Sequence, residues 1–271
     1  MVMAAQVWAV WVADWCEWMI AARRPATTRR LRRHQVLGFA GDVCRPPGEV
    51  TGAEITRWMA GKTAWSQDTL RGARAALRTF YRWALADGRI TSDPTAAIPS
   101  VGAVRHVARP APEDVIEAAM TRSDERVRLM VDLAARHGLR RSELAVVNTD
   151  DMLRIGDGWS LVVHGKGGKD RLVPLQADTA AAMRRRGPGW VFPGLTDGHL
   201  GVDRVGRLVA DALPGIWTAH TLRHRYGTKV WHGSHDIVAL QELMGHASIT
   251  TTRIYVQEDQ AAMRAAAQWA A

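Results

Sequence analysis

Between residues 152 and 175 the hydrophobic period of this 271-residue chain changes, and that change limits the folds open to it. Met152 to Ile155 leads into the turn Gly156-Asp157-Gly158, and Trp159 to His164 alternates in the manner of a half-buried strand. Gly165-Lys166-Gly167-Gly168-Lys169 then turns into Arg171-Leu172-Val173-Pro174-Leu175, a third strand. The segments on either side carry the helical period. Helices are expected at about 113–121 and 124–137, the second closed by Gly138, and at about 176–186, 199–212, 218–232, 236–244, 248–254 and from about 258. The reading is a mainly α chain with one small antiparallel β-sheet.

The first hundred residues show no strand signal. Trp8, Trp11, Trp15 and Trp18 recur at steps of three, four and three, along one stripe of a first helix suited to a core or a domain face. The apolar start is not a membrane or export signal, because Asp14 and Glu17 interrupt it and no basic segment precedes it. Thr27-Thr28-Arg29-Arg30-Leu31-Arg32-Arg33 predicts a threonine-capped helix, with Leu31, Gln35, Leu37 and Phe39 as its weakly apolar side. Thr51 and Glu54 form a capping box, and Ser66 caps a long helix stopped by Gly88. On that helix Arg71, Arg74, Arg78 and Arg82 make a basic ladder. Pro99 to Pro112 holds three prolines, Gly102, Arg105, His106 and Arg109, and reads as an extended linker. The expected domains are thus 1–98 (helical), a linker at 99–112, and 113–271.

Net charge is +9, and residues 1–105 carry 15 Lys/Arg against 8 Asp/Glu. A basic excess concentrated in one half suits a polyanion, and Arg29, Arg30, Arg32, Arg33, Arg71, Arg74, Arg78, Arg82, Arg105 and Arg109 are the candidate phosphate contacts. A solvated basic face has the same composition. Cys16 and Cys44 lack metal-ligand spacing, which argues against zinc, and read as small buried thiols.

Several polar residues in the second half have ordinary explanations when taken singly. Arg140 follows a helix stop, with Glu143 three residues on to orient its guanidinium or brace a neighbouring helix. Lys166 sits in a glycine-rich turn that lacks Walker A spacing, and His220 and Arg223 share a helix face. Together, Arg140, Lys166, His220, Arg223, His246 and Tyr255 offer cations for a phosphorane, proton donors and a hydroxyl nucleophile, without a metal. Their order, and the run from Leu243 to Tyr255, resemble the tyrosine recombinases (the phage integrase family). The resemblance extends over about residues 5–260, with strong motifs from 138 onward.

The resemblance implies a two-domain clamp on DNA, made of a helical (SAM-like) core-binding domain and a catalytic domain. It implies a site-specific recombinase that cuts and rejoins DNA through a 3′-phosphotyrosyl link and a Holliday junction. Tyr255 would be the nucleophile, Arg140 and Arg223 the contacts to nonbridging oxygens, and Lys166 the general acid. His220 would serve the tyrosine hydroxyl as acid or base, His246 would hydrogen-bond the phosphate, and Glu143 would brace. His224 is read as structural, packed below the site. No cofactor or metal is implied. The implied partners are double-stranded DNA with inverted-repeat core sites and three further copies in a tetramer, with room for a directionality factor and no membrane. The setting would be the cytoplasm of a bacterial host, at the nucleoid. The chain begins close to the first helix, so no arm-type DNA-binding domain is expected. Phage-type integration is the first reading. A Xer-like resolvase or transposon recombinase shares the chemistry, and a type IB topoisomerase or an inactive DNA-binding regulator stands further off. Ala219, where many relatives have proline, is a departure of small consequence.

Overall fold

The computed structural model describes residues 2–103, 109–165, 168–245, 252 and 255. Two compact units divide the chain, Met1–Arg105 and His106–Ala271.

The first unit is helical: α1 (Val2–Ala21), α2 (Ala26–Val43), α3 (Gly52–Gly61) and α4 (Gln67–Ala86). Trp8 and Trp15 of α1 are buried against Phe80 of α4, each ring centroid 5.3 Å from that of Phe80. Trp11 is only partly buried and Trp18 is exposed. The four-tryptophan stripe is therefore split. Seven residues bring Trp8 and Trp15 within about 20° of each other around the helix, whereas Trp11 and Trp18 lie roughly 60–80° aside. The capping box at Thr51 and Glu54 is present, Ser66 caps α4, and Gly88 follows α4 with φ +74°.

The second helix departs from expectation. It starts at Ala26 behind Pro25, with no side-chain cap. Pro25 supplies the extended backbone that precedes a helix, and its carbonyl accepts from the Arg29 amide, so Thr27 falls inside the first turn. The buried side of α2 is Val36 and Phe39, while Leu31 is exposed. Cys16 is half-buried and Cys44 is exposed at the helix end with φ +53°, so only the former resembles the buried thiol expected. Both are free thiols.

The second unit packs α5 (Glu113–Arg122), α6 (Glu125–Arg136) and a short α7 (Arg141–Ala145) beside a sheet of β1 (Met152–Ile155), β2 (Gly158–His164) and β3 (Asp170–Leu175). The sheet order is β1-β2-β3, antiparallel throughout, with Met152 opposite Leu161 and Leu161 opposite Val173. Those three residues turn one face into the core, which continues through Met130, Leu133 and Ala134 of α6. Then come α8 (Ala177–Arg184), a short β4 (Pro193–Thr196), α9 (Val202–Ala212), α10 (Ala219–Ser234) and α11 (Ile237–Met244). The expected helices at 248–254 and from about 258 lie outside the described residues, Thr252 excepted, and between them only Tyr255 is described.

Both described ends of the stretch 99–112 are packed. Val101 packs on the core of the first unit. Ala111 is buried in the second, its amide donating to the Thr221 carbonyl over 3.1 Å, and the Arg109 guanidinium stacks on Trp217 at 5.6 Å. No described helix is long and apolar enough to cross a membrane.

Candidate active site

Three polypeptide segments meet at one buried carboxylate. Arg140 precedes α7, and Glu143 at its third position reaches back to accept from the Arg140 amide at 2.8 Å. The same carboxylate takes the Arg140 guanidinium at 2.7 Å and both terminal nitrogens of Arg171, on β3, at 2.8 Å. Arg223 of α10 lies 3.9 Å from it. The Glu143 and Arg171 side chains are almost wholly buried. Hydrogen bonds from Arg171 and Arg140 hold the Glu143 carboxyl down at about 2, against the opposing effect of burial.

Each guanidinium also fastens a backbone segment. Arg171 Nε donates to the Leu243 carbonyl at 2.9 Å, and Arg140 to that of Gly245 at 2.9 Å. Arg223 donates to the carbonyls of Gly138 and Met244. The loop before Arg140, strand β3 and the end of α11 are thereby tied to one cluster. Gly245 closes α11 in the left-handed region at φ +57°, where a Cβ would lie 2.9 Å from the Arg171 side chain. Burial, and then the neighbouring Arg140, push the Arg223 guanidinium down to about 9.

Tyr255 is buried beside Tyr226, Trp231, Leu240 and Met244. The hydroxyl end of its ring rests against α10 at Gly227, where a Cβ would come within 2.5 Å of the Tyr255 ring carbon that bears the hydroxyl. Burial drives its phenol up to about 12, with Arg223 and then Arg140 pulling the other way. The hydroxyl is 3.2 Å from His224 Nδ1, and His224 Nε2 is 2.9 Å from His220 Nε2. His220 and His224 are one turn apart on α10, with His220 exposed and His224 half-buried. Burial, then His220 and Arg223, bring the His224 imidazole down to about 4, so its ring is neutral at pH 7.

Of the six residues expected to carry chemistry, Arg140, His220, Arg223 and Tyr255 come together here, with Glu143 among them. Lys166 and His246 lie outside the described residues, as does Arg105. Two participants were not anticipated. Arg171 lies in a strand whose sequence signals only alternation, and its partner is 28 residues away. His224, which the sequence suggests only as packing, stands one turn from His220.

The candidate DNA contacts differ in availability. Arg30, Arg33, Arg71 and Arg82 are exposed, and Arg29 and Arg78 are half-buried. Arg32 donates to Thr79 Oγ1 at 2.5 Å, Arg71 pairs with Asp68 at 3.3 Å, and Arg74 donates to the Ile98 carbonyl at 3.2 Å. Among the described residues no group of three or more His, Cys, Asp or Glu side chains could hold a metal ion.

Buried guanidinium groups facing a phenol are equipment for moving a phosphoryl group between oxygens, and the comparisons with known proteins give that chemistry a lineage. Residues 111–262 match the model of the phage integrase family. The tyrosine recombinase XerD of Caulobacter vibrioides is 35% identical over 223 residues, 72% of each chain. XerC of Chromobacterium violaceum is 30% identical over 261 residues, covering 89% of this chain and 87% of that one. The fold is shared with solved recombinases. A post-cleavage XerH complex on difH DNA aligns at a TM-score of 0.72 with 18% identity, over 96% of this chain and 84% of that one. A lambda integrase dimer on a core site aligns at 0.72 with 20% identity, over 91% and 76%. The chain belongs to the phage integrase family, and it is a tyrosine-type, site-specific DNA recombinase.

Proposed function

We propose that this recombinase cuts and rejoins DNA through Tyr255, at a core site made of inverted repeats. The observation that carries the reading is the convergence of Arg140 and Arg223 on Glu143, with the buried Tyr255 phenol within electrostatic reach of both guanidinium groups. Tyr255 attacks the scissile phosphorus and forms a 3′-phosphotyrosyl bond, while Lys166 protonates the departing 5′-oxygen. Arg140 and Arg223 hold the nonbridging oxygens, where planar donor forks match the developing charge. His246 donates a further hydrogen bond, and His220 handles the proton of the tyrosine hydroxyl. The aryl phosphodiester conserves the bond energy, so rejoining needs no nucleotide. Arginines of α2 and α4, with Arg105 and Arg109, grip the backbone of the half-site.

Four protomers act on two duplexes through a Holliday junction; among the structural neighbours is a lambda integrase tetramer bound to such a junction. A directionality factor and action at the bacterial nucleoid belong to the same proposal. The sequence pointed first to phage-type integration. Similarity to XerD and XerC favours the second reading, a Xer-like resolvase. One experiment bears on both. DNA from the source genome is incubated with the protein, and covalently attached ends are sequenced. Adducts confined to an inverted repeat are expected, and Tyr255→Phe should bind that DNA without forming them. A single chromosomal repeat identifies a resolvase, whereas a pair of sites flanking a mobile element identifies an integrase. Adducts with Tyr255→Phe, or scattered adducts, would refute the proposal.

A further inference from the structure

We propose that His224 is the group that takes the proton from Tyr255, and that it hands a proton on to His220 in a two-imidazole relay. The inference deepens the reading of Tyr255 as nucleophile and rests on it.

The geometry orders the three groups. Tyr255 Oη lies 3.2 Å from His224 Nδ1, and His224 Nε2 lies 2.9 Å from His220 Nε2. The two imidazoles sit four residues apart on α10, a spacing that stacks side chains on one helical face. Their ring centroids are 4.3 Å apart. A neutral imidazole has one N–H and one lone pair, so the two contacts can run together in either direction, and the relay uses the one that starts at the phenol. With the phenol donating to Nδ1, the His224 proton sits on Nε2 and points at the lone pair of His220 Nε2. His220 then carries its own proton on Nδ1. In that state every hydrogen bond runs the same way, from the buried phenol to the exposed imidazole.

Two environments make a relay more apt than a single base. The buried phenol, raised to about 12, gives up its proton only as the bond to phosphorus forms. His224, lowered to about 4 by burial, by His220 and by Arg223, is a poor place for that proton to rest. Passing it along removes the difficulty. As Tyr255 Oη bonds to phosphorus, its proton moves to His224 Nδ1 and the proton on His224 Nε2 moves to His220 Nε2. His224 ends neutral with its tautomer reversed, His220 ends as an imidazolium at the exposed end, and the 5′-oxygen leaves with the proton from Lys166. On rejoining, each transfer runs backwards. The positive charge therefore appears away from the buried Arg223 guanidinium, where a second cation would be repelled.

The test uses a nicked half-site duplex carrying the sequence at which the covalent adduct maps. Single-turnover adduct formation is timed from pH 5 to 9 for the wild type, Tyr255→Phe, His224→Ala, His224→Asn, His220→Gln and the double variant His220→Gln/His224→Asn. His224→Ala should slow attack by roughly the 10²–10⁴ expected of general base catalysis, with partial rescue by added imidazole. His224→Asn can place an amide oxygen near the hydroxyl but cannot relay, so it should be slow with a flattened pH profile, and it serves if the alanine variant does not fold. The double variant should be no slower than His224→Asn, because both substitutions interrupt one path. A His224→Asn enzyme that cleaves within a few-fold of wild type, or one that is slow with the wild-type pH profile, overturns the relay. Either result with Tyr255→Phe inactive leaves the nucleophile in place; adducts formed by Tyr255→Phe sink the nucleophile itself.

Discussion

Glu143→Gln should destabilise the second unit by an amount that depends on pH in a calculable way. The glutamine is nearly isosteric, so packing is kept and only the charge is lost. What remains is Arg171 and Arg223, both almost wholly buried, with no anion between them. Removing one partner of a buried ion pair costs about 3–5 kcal/mol. The carboxyl gives an independent figure: a fall from its ordinary 4.5 to about 2 corresponds to roughly 3 kcal/mol of stability at neutral pH. The folded-state value is the depressed one, so this contribution is complete above the unfolded value of 4.5 and is lost as pH falls towards about 2. At pH 3 roughly 1.4 kcal/mol of it remains. Hydrogen exchange in peptides spanning 127–184, followed through urea, isolates the second unit from the first. The gap between wild type and variant should be about 3–5 kcal/mol at pH 7 and should shrink by roughly 2 kcal/mol at pH 3. A gap below about 1 kcal/mol at pH 7, or one that does not change with pH, would refute the claim that this carboxylate holds the cluster together.

Gly227→Ala should separate stability from activity. A Cβ there would come within 2.5 Å of the ring carbon bearing the Tyr255 hydroxyl, so the ring must move. A shift of about 1 Å in a reacting group can cost about 10²-fold in rate, whereas alanine inside a helix gains about 0.5–1 kcal/mol over glycine. Adduct formation should fall with no loss in melting temperature; an unaffected rate would mean that the tyrosine does not rest on this helix when it reacts. Lys166→Ala should slow cleavage by roughly 10²–10⁴, a bridging 5′-sulfur should restore much of the loss, and EDTA should leave cleavage unchanged. No rescue by sulfur, or inhibition by EDTA, would remove lysine from the role of acid.

How much of this was legible beforehand follows from the range of the interactions. Local signals were read well. The strand Met152–Ile155 and the Thr51–Glu54 capping box depend on neighbours within a few residues, and both are present as expected. The five-residue α7 and the strand β4, paired through isolated bridges, are too short to develop a period, and neither was anticipated. Thr27 misled because a threonine before an arginine run fits a cap, yet Pro25 two residues earlier already supplies the extended backbone. At the site, Arg140, His220 and Arg223 announced themselves by motif. Arg171 did not, because its meaning comes only from the sheet register, which sets it opposite Val163 and beside a carboxylate from another segment. Glu143 had been read as either orienting Arg140 or bracing a neighbour. Its carboxylate accepts from Arg140, and what it holds beyond that is Arg171 on a strand.

That double use explains why so much charge is kept out of water. Three guanidinium groups share one carboxylate, leaving an excess of positive charge where Arg223 is already pushed down to about 9. Such a cluster is costly without a second anion, and in the proposed reaction a phosphodiester held by Arg140 and Arg223 would supply one. Docking of the phosphate would relieve repulsion among the guanidinium groups. Positions already fixed by the carbonyls of Gly138, Met244 and Gly245 require little reorganisation as charge grows on the phosphorane oxygens. On the proposed reading the same arrangement would keep Tyr255 idle until then. A phenol at about 12, hydrogen-bonded to a neutral imidazole, is almost wholly protonated at pH 7, so in the proposed reaction Tyr255 would attack only as its oxygen meets phosphorus. In that proposal, stored positive charge and a reluctant nucleophile would make cleavage depend on the presence of the phosphate.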